Sequence, residues 1–463
     1  MQTAAARTIR TPDKAPKLSH EAGDLGAPRP PMFAGAWPLL GHARQMFASP
    51  NHMFVEGYRK HGPVYRVKLG PQTYVIFAGA EANMWLMRNE RHFLSIQGIF
   101  DGVAKLFNAN PEVVMTNVDG KRHKELRSLQ KEGMSRSYLE KRLHVALDVA
   151  GDFFDGSPQD PVDAAKLVKR LVFRQLGNTL VGEAKEHYYD DYQTLLDKII
   201  YTVVLPWTLK LPRSPRTRNR IERVRAYGQT LLARSRNSRT LPSARYAIDD
   251  IIDGVKQGVF DESDLPLLLI SPFVAGLDTL AHSMAFAIYG ILAHPDVHQT
   301  VVEELDEFWQ DGEMDAKALR NLDNLRSAIM ESMRLYPISP GQRRSIAEDV
   351  VVGGYQLKRG DKVIMAHAAT HHMGEYFPHP ERFDITRYQK PRAEHRTPGA
   401  FQPYGVGPHI CLGAGMADLQ MLLNLAVMFK RYSVRMTPED YMLAVSWLPT
   451  GQPKGMQISL SPR

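Results

Sequence analysis

Residues 265–293 run almost unbroken through Leu, Ile, Phe, Val, Met and Ala, and no other part of the 463-residue chain holds so long an apolar run. As a helix this stretch would extend about 40 Å. Apolar on every side, it is either a membrane span or the buried axis of a large helical domain. Pro266, Pro272, Asp278 and His282 interrupt it, which predicts a core helix that the rest of the chain must wrap.

That wrapping is available. Helical spacing recurs at residues 138–154, 163–181, 189–204, 218–234, 297–308, 324–336 and 414–432. Strand-like alternation occupies 63–78 around Gly70-Pro71, and 350–366 around Gly353-Gly354 and Gly360-Asp361. The expected class is mainly α with small β-sheets (α+β). A composition of 43% hydrophobic and 23% charged residues supplies the core and excludes a disordered or collagenous chain. With no internal repeat or linker after residue 30, the expected organisation is a flexible tail over 1–30 and a single domain over 31–463. The tail has no apolar stretch for a signal peptide or anchor, and Asp13, Glu21 and Asp24 argue against a transit peptide.

Lys and Arg exceed Asp and Glu by 58 − 50 = 8, which favours acidic partners without implying a nucleic-acid binder. Nine arginines fall within 212–239. They read first as a solvated helix face, with peripheral contact to an anionic membrane as the alternative. The one cysteine excludes an internal disulfide and fits the cytoplasm.

That cysteine lies in Phe401-Gln-Pro-Tyr404-Gly405-Val-Gly407-Pro-His409-Ile-Cys411-Leu-Gly413, just before a helical run. Gly405, Gly407 and Gly413 allow positive φ and close approach of a bulky flat group. The helix that follows aims free N–H groups at Cys411, which predicts a thiolate, the form that ligates metal.

This loop resembles the haem-binding loop of the cytochrome P450 family. The resemblance implies that fold, with haem b (iron protoporphyrin IX) between the long central helix and the cysteine-loop helix. It implies that Cys411 is the thiolate ligand of the iron, that Phe401 shields the sulfur, that His409 reaches a haem propionate, and that Gly405 and Gly413 belong to the cofactor loop. Ala275-Gly276-Leu277-Asp278-Thr279 resembles the family's oxygen-activation signature. There Ala275 would border the cofactor, Gly276 would let a ligand approach, and Asp278 and Thr279 would relay protons. The plainer alternative is a threonine hydroxyl bonded back to its own helix and an aspartate paired out of sight. His123 and Arg127, one helical turn apart, and Arg344, five residues before Asp349, match the family's propionate-binding cations. Glu331-Ser-Met-Arg334 and Pro380-Glu381-Arg382-Phe383 imply a buried network of Glu331, Arg334 and Arg382.

The implied activity is a haem-thiolate monooxygenase that uses O₂ to hydroxylate or epoxidise an apolar small molecule of terpenoid, steroid, fatty acid or polyketide type. One cysteine cannot hold an iron–sulfur cluster, and no dinucleotide fingerprint is present. Electrons from NAD(P)H are therefore expected through a separate reductase and a ferredoxin or flavodoxin-like donor. The rivals are a peroxide-driven peroxygenase, a redox-neutral isomerase or dehydratase, and a non-catalytic haem protein; the Asp278-Thr279 pair counts against all three. The resemblance implies pocket walls from residues 95–116, Ala275, 338–341 and 446–451. Asp278 stands where sterol 14-demethylases usually carry histidine, which disfavours that reaction.

Overall fold

A computed structural model describes residues 17–158, 160–204, 214–237, 245–309, 314–447 and 450–463. Residues 1–16 of the expected tail, both ends of the arginine-rich segment, and 448–449 of the expected pocket wall lie outside the described residues. The chain divides into two compact units, Met1–Leu94 with Ser339–Pro408, and Ser95–Ile338 with His409–Arg463.

The first unit is built on a sheet. Val64–Leu69 and Gln72–Phe77 form the expected hairpin, with Gly70 at φ +57° in its turn. Lys362–Met365 adds in parallel to the second strand, and Gln342–Ile346 adds antiparallel beyond it. The strands alternate apolar residues inward, so Val64, Val75, Phe77, Val363 and Met365 share a core with Trp85 and Leu86 of the helix Ala80–Phe93. Val350–Val352 and Tyr355–Leu357 pair as the second expected patch. His20–Ala22 pairs antiparallel with Val350–Val352, so ordered structure begins inside the expected tail, before residue 31.

The second unit wraps the helix Leu265–Leu292, whose neighbours include Ala164–Leu176, Asp323–Leu335, Pro295–Phe308 and the cysteine-loop helix Ala414–Arg431. Glu262–Leu292 is long and apolar enough to cross a membrane, but most of it is buried within the protein, as a core helix is. The Asp163 side chain accepts from the Lys166 N–H at 2.8 Å and so caps Ala164–Leu176. The pattern over 138–154, expected as one helix, divides into Arg136–Glu140 and Leu143–Asp155. The last turn expected for 163–181 is the wider Gly177–Val181, where a Cβ on Gly177 would lie 2.7 Å from the Ala184 Cα.

Candidate functional site

Cys411 occupies the turn before Ala414–Arg431, and its residue surface is exposed. The Gly413 N–H hydrogen-bonds to it, and the Arg127 guanidinium lies close enough to favour its anion. Burial nonetheless outweighs both and pushes the thiol up. The Gly413 N–H and Arg127 favour the anion, while burial opposes it.

Helix Gly120–Gln130 brings the cations. Arg127 Nη1 donates to the Ile410 carbonyl at 2.8 Å, which ties this helix to the residue before the cysteine. The His123 and His409 rings lie 4.0 Å apart. Asp119, at the helix N-cap, holds His409 Nε2 at 3.0 Å and accepts from Ser95 Oγ at 2.6 Å and the Ile96 N–H at 3.0 Å. Burial would raise the Asp119 carboxyl, but these three bonds together hold it below its ordinary value. Sequence reading placed His409 on a propionate and missed Asp119 as its partner.

Phe401, Gly405 and Arg344 belong to the first unit. Phe401 sits among His371, Tyr388 and Phe377, with ring centroids 5.2, 5.7 and 6.4 Å away. Gly405 and Gly407 take φ of +82° and +75°, as expected. What presses on them is the chain itself: a Cβ would lie 2.5 Å from Gln342 Nε2 at Gly405 and 1.8 Å from Glu90 Oε2 at Gly407. Gly413 takes φ −89° rather than the expected positive value, while a Cβ there would meet nothing within 4 Å. Arg344 is buried with a partner that the sequence did not announce, its Nε 2.6 Å from Glu90 Oε1.

In Leu265–Leu292, Ala275 and Thr279 are exposed one turn apart while Leu277, Asp278, Leu280 and Ala281 are buried. The core helix therefore opens one short face. A Cβ on Gly276 would meet Leu176 at 3.3 Å, so the glycine also lets helix Ala164–Leu176 pack close. Thr279 Oγ1 donates to the Ala275 carbonyl at 2.6 Å. Lys169 Nζ lies 2.6 Å from Asp278 Oδ1, with side-chain exposures of 13% and 5%. Both features of the plainer alternative are thus present, and Lys169 was not foreseen.

Glu331 and Arg334 are fully buried and joined by two bonds of 2.8 Å. Arg382 does not fit the buried network expected of it: 72% of its side chain is exposed, and it faces Glu381 at 4.0 Å. The buried arginine of that segment is Arg387, 1% exposed, bonded to Glu394 at 3.0 Å and to the Pro378 carbonyl at 2.7 Å. Asp384-Ile-Thr-Arg387-Tyr388, a second acidic-to-aromatic run around an arginine, is the signal that marks it.

An iron porphyrin requires a ligand that ionises on binding metal, cations for two carboxylates, and an open apolar face. Cys411 with its Gly413 N–H bond, the group of Arg127, His123 and His409, the clear space at Gly413, and the exposed Ala275–Thr279 turn meet those requirements. The family model for Cytochrome P450 matches residues 30–448. The chain is 27% identical over 419 residues to a cyclooctat-9-en-7-ol 5-monooxygenase of Streptomyces melanosporofaciens, covering 87% of this chain and 89% of that protein. It is 25% identical over 442 residues to a pentalenene oxygenase of Streptomyces avermitilis, covering 93% and 96%. Among solved structures, the retinoic acid bound cyanobacterial CYP120A1 superposes with a TM-score of 0.79 at 20% identity, over 94% of this chain and all of that one, a likeness of fold.

Proposed function

Since this chain belongs to the cytochrome P450 family, we propose that it forms one catalytic domain, His20–Ala22 included, that oxygenates an apolar, alkene-bearing small molecule. The observation that carries the reading is the setting of Cys411: an exposed residue with Arg127, His123 and His409 beside its loop, in the same unit as a core helix that opens at Ala275 and Thr279. The names of the two Streptomyces relatives support the substrate class.

When bound, haem supplies the reductive activation of O₂ and the transfer of one oxygen atom to substrate. Cys411 Sγ would be the ligand, and the Gly413 N–H bond would steady its anion. Arg127 and His123 would hold the propionates, with His409 oriented by Asp119. The Thr279 hydroxyl donates its one hydrogen bond to the Ala275 carbonyl. Its lone pairs therefore accept a hydrogen bond from whatever lies against the open turn. Asp278 is the acid–base group beside it, and delivery of a proton requires its carboxylate to turn from Lys169 toward that face.

The chain carries no flavin or cluster motif, so the reading includes a separate ferredoxin or flavodoxin-like donor fed by NAD(P)H. A cytoplasmic location, where Cys411 stays reduced, belongs to the same reading. The test is turnover of purified holoenzyme with NAD(P)H, a reductase–ferredoxin pair and a panel of cyclic alkenes under ¹⁸O₂. Product with one ¹⁸O atom is expected. No product across the panel, or oxygen drawn from water, overturns the proposal.

A further inference from the structure

One turn beyond Asp278 on the same face of the core helix stands His282, 2% exposed. Neither of its ring nitrogens has a hydrogen-bond partner among the described residues. Every other buried side chain nearby on this helix is Leu, Ala, Phe, Ile or Met, apart from Asp278. Any of those would fill the space without leaving two polar atoms unsatisfied.

The ring faces charge. Lys169 and Asp278 act on it, as does Asp163 at the start of helix Ala164–Leu176, while Asp197 and Tyr189 of helix Tyr189–Val204 feel the charge of Asp278. Asp197, Lys169, Asp278 and His282 thus act on one another electrostatically, and Asp197 is the exposed member of the group. Asp278 Oδ1 contacts Lys169 as an ion pair but has no aligned hydrogen bond, so two neighbouring groups have unfilled hydrogen-bond positions. Burial and the nearby Lys169 hold the imidazole neutral, its value pushed down to about 4. A neutral ring has one donor and one acceptor, which suits a water molecule in either orientation.

We propose that His282 is a positioning residue that anchors an ordered water against the Asp278 carboxylate, so that protons reach Asp278 along a fixed hydrogen-bonded path. This rests on the reading of Asp278 and Thr279 as the proton-handling pair.

The test compares His282→Leu and His282→Asn in the holoenzyme with Asp278→Asn and Thr279→Ala. The readouts are product formed per NAD(P)H consumed, hydrogen peroxide released, the solvent deuterium isotope effect, and the reduced, carbon-monoxide-bound spectrum as a check on the haem. His282→Leu is expected to lower coupling about fivefold, the factor that one lost hydrogen bond is worth. Peroxide should make up the balance and the isotope effect should change. His282→Asn, which keeps a donor and an acceptor, should restore coupling to within about twofold.

Wild-type coupling in His282→Leu beside impaired Asp278→Asn overturns the inference and leaves the pair's role standing. Unimpaired Asp278→Asn and Thr279→Ala overturn that role and the inference with it. Equal impairment in Leu and Asn marks His282 as structural only, which also overturns it. Should the leucine variant fail to fold, a crystal structure of the wild-type holoenzyme decides. A water within about 3 Å of both a His282 ring nitrogen and Asp278 is expected, and a dry ring refutes the proposal.

Discussion

Lys169→Met removes an ammonium while keeping its straight apolar stem, and it exposes the energetics of the pair on which Asp278 depends. The two charges lie 2.6 Å apart, and their exposures differ, 13% for Lys169 against 5% for Asp278. Removing the lysine strands the deeper partner, for which the expected loss is about 3–5 kcal/mol. Asp278→Asn strands the shallower one, whose long stem lets its head reach water, so its loss should be smaller, about 2 kcal/mol. With both replaced no uncompensated charge remains, and the double variant should sit within about 1.5 kcal/mol of wild type. The coupling energy is then about 3 kcal/mol or more. Urea unfolding of the four holoproteins at one pH measures the cycle. A loss under about 1 kcal/mol for Lys169→Met, the size of an exposed ion pair, or single effects that simply add, would refute a buried, mutually dependent pair.

Burial, chiefly, pushes the rings of His282 and His367 down to about 4. An unfolded histidine titrates near 6.5, so between those values the unfolded chain binds a proton that the native ring refuses. Stability is full above about pH 6.5 and falls by about 3 kcal/mol per ring as pH drops to 4. Thermal midpoints at pH 7 and 4.5 should therefore converge in His282→Asn, His367→Asn protein relative to wild type; an unchanged pH slope would contradict this. Gly407→Ala needs a Cβ 1.8 Å from Glu90 Oε2 at φ +75°, and should express with little haem, whereas wild-type haem content would show that the loop yields. Arg387→Met should cost about 3 kcal/mol and Arg382→Met under about 0.5, since only the first is buried; equal losses in chemical unfolding would count against that contrast.

Where a pattern is local, the sequence is a good guide. The hairpin around Gly70, the Val350–Val352 ribbon, the core helix and the run Ala414–Arg431 all follow from periodicity and turn residues that act within a few positions. Helices Ala80–Phe93 and Gly120–Gln130 were not predicted from periodicity, because charged residues dilute their apolar stripe. The cysteine loop was legible as a motif, but its partners were not. Glu90 and Arg344 are 254 positions apart, and Asp119 and His409 are 290 apart, distances over which spacing carries no signal. Nothing in the spacing around Lys169 announces that the fold turns it toward Asp278. Gly276 shows the converse, a motif residue whose side faces Leu176 of a neighbouring helix. Arg382 and Arg387 sit in near-duplicate runs, and burial alone tells them apart.

The most direct test of Cys411 as the iron ligand is the absorption spectrum of the reduced, carbon-monoxide-bound holoprotein, recorded for wild type and Cys411→Ser. Wild type should give the red-shifted Soret band of a thiolate-ligated haem, and the serine variant should lose it. An unshifted band in wild type, or a shifted band that survives the substitution, would contradict sulfur ligation.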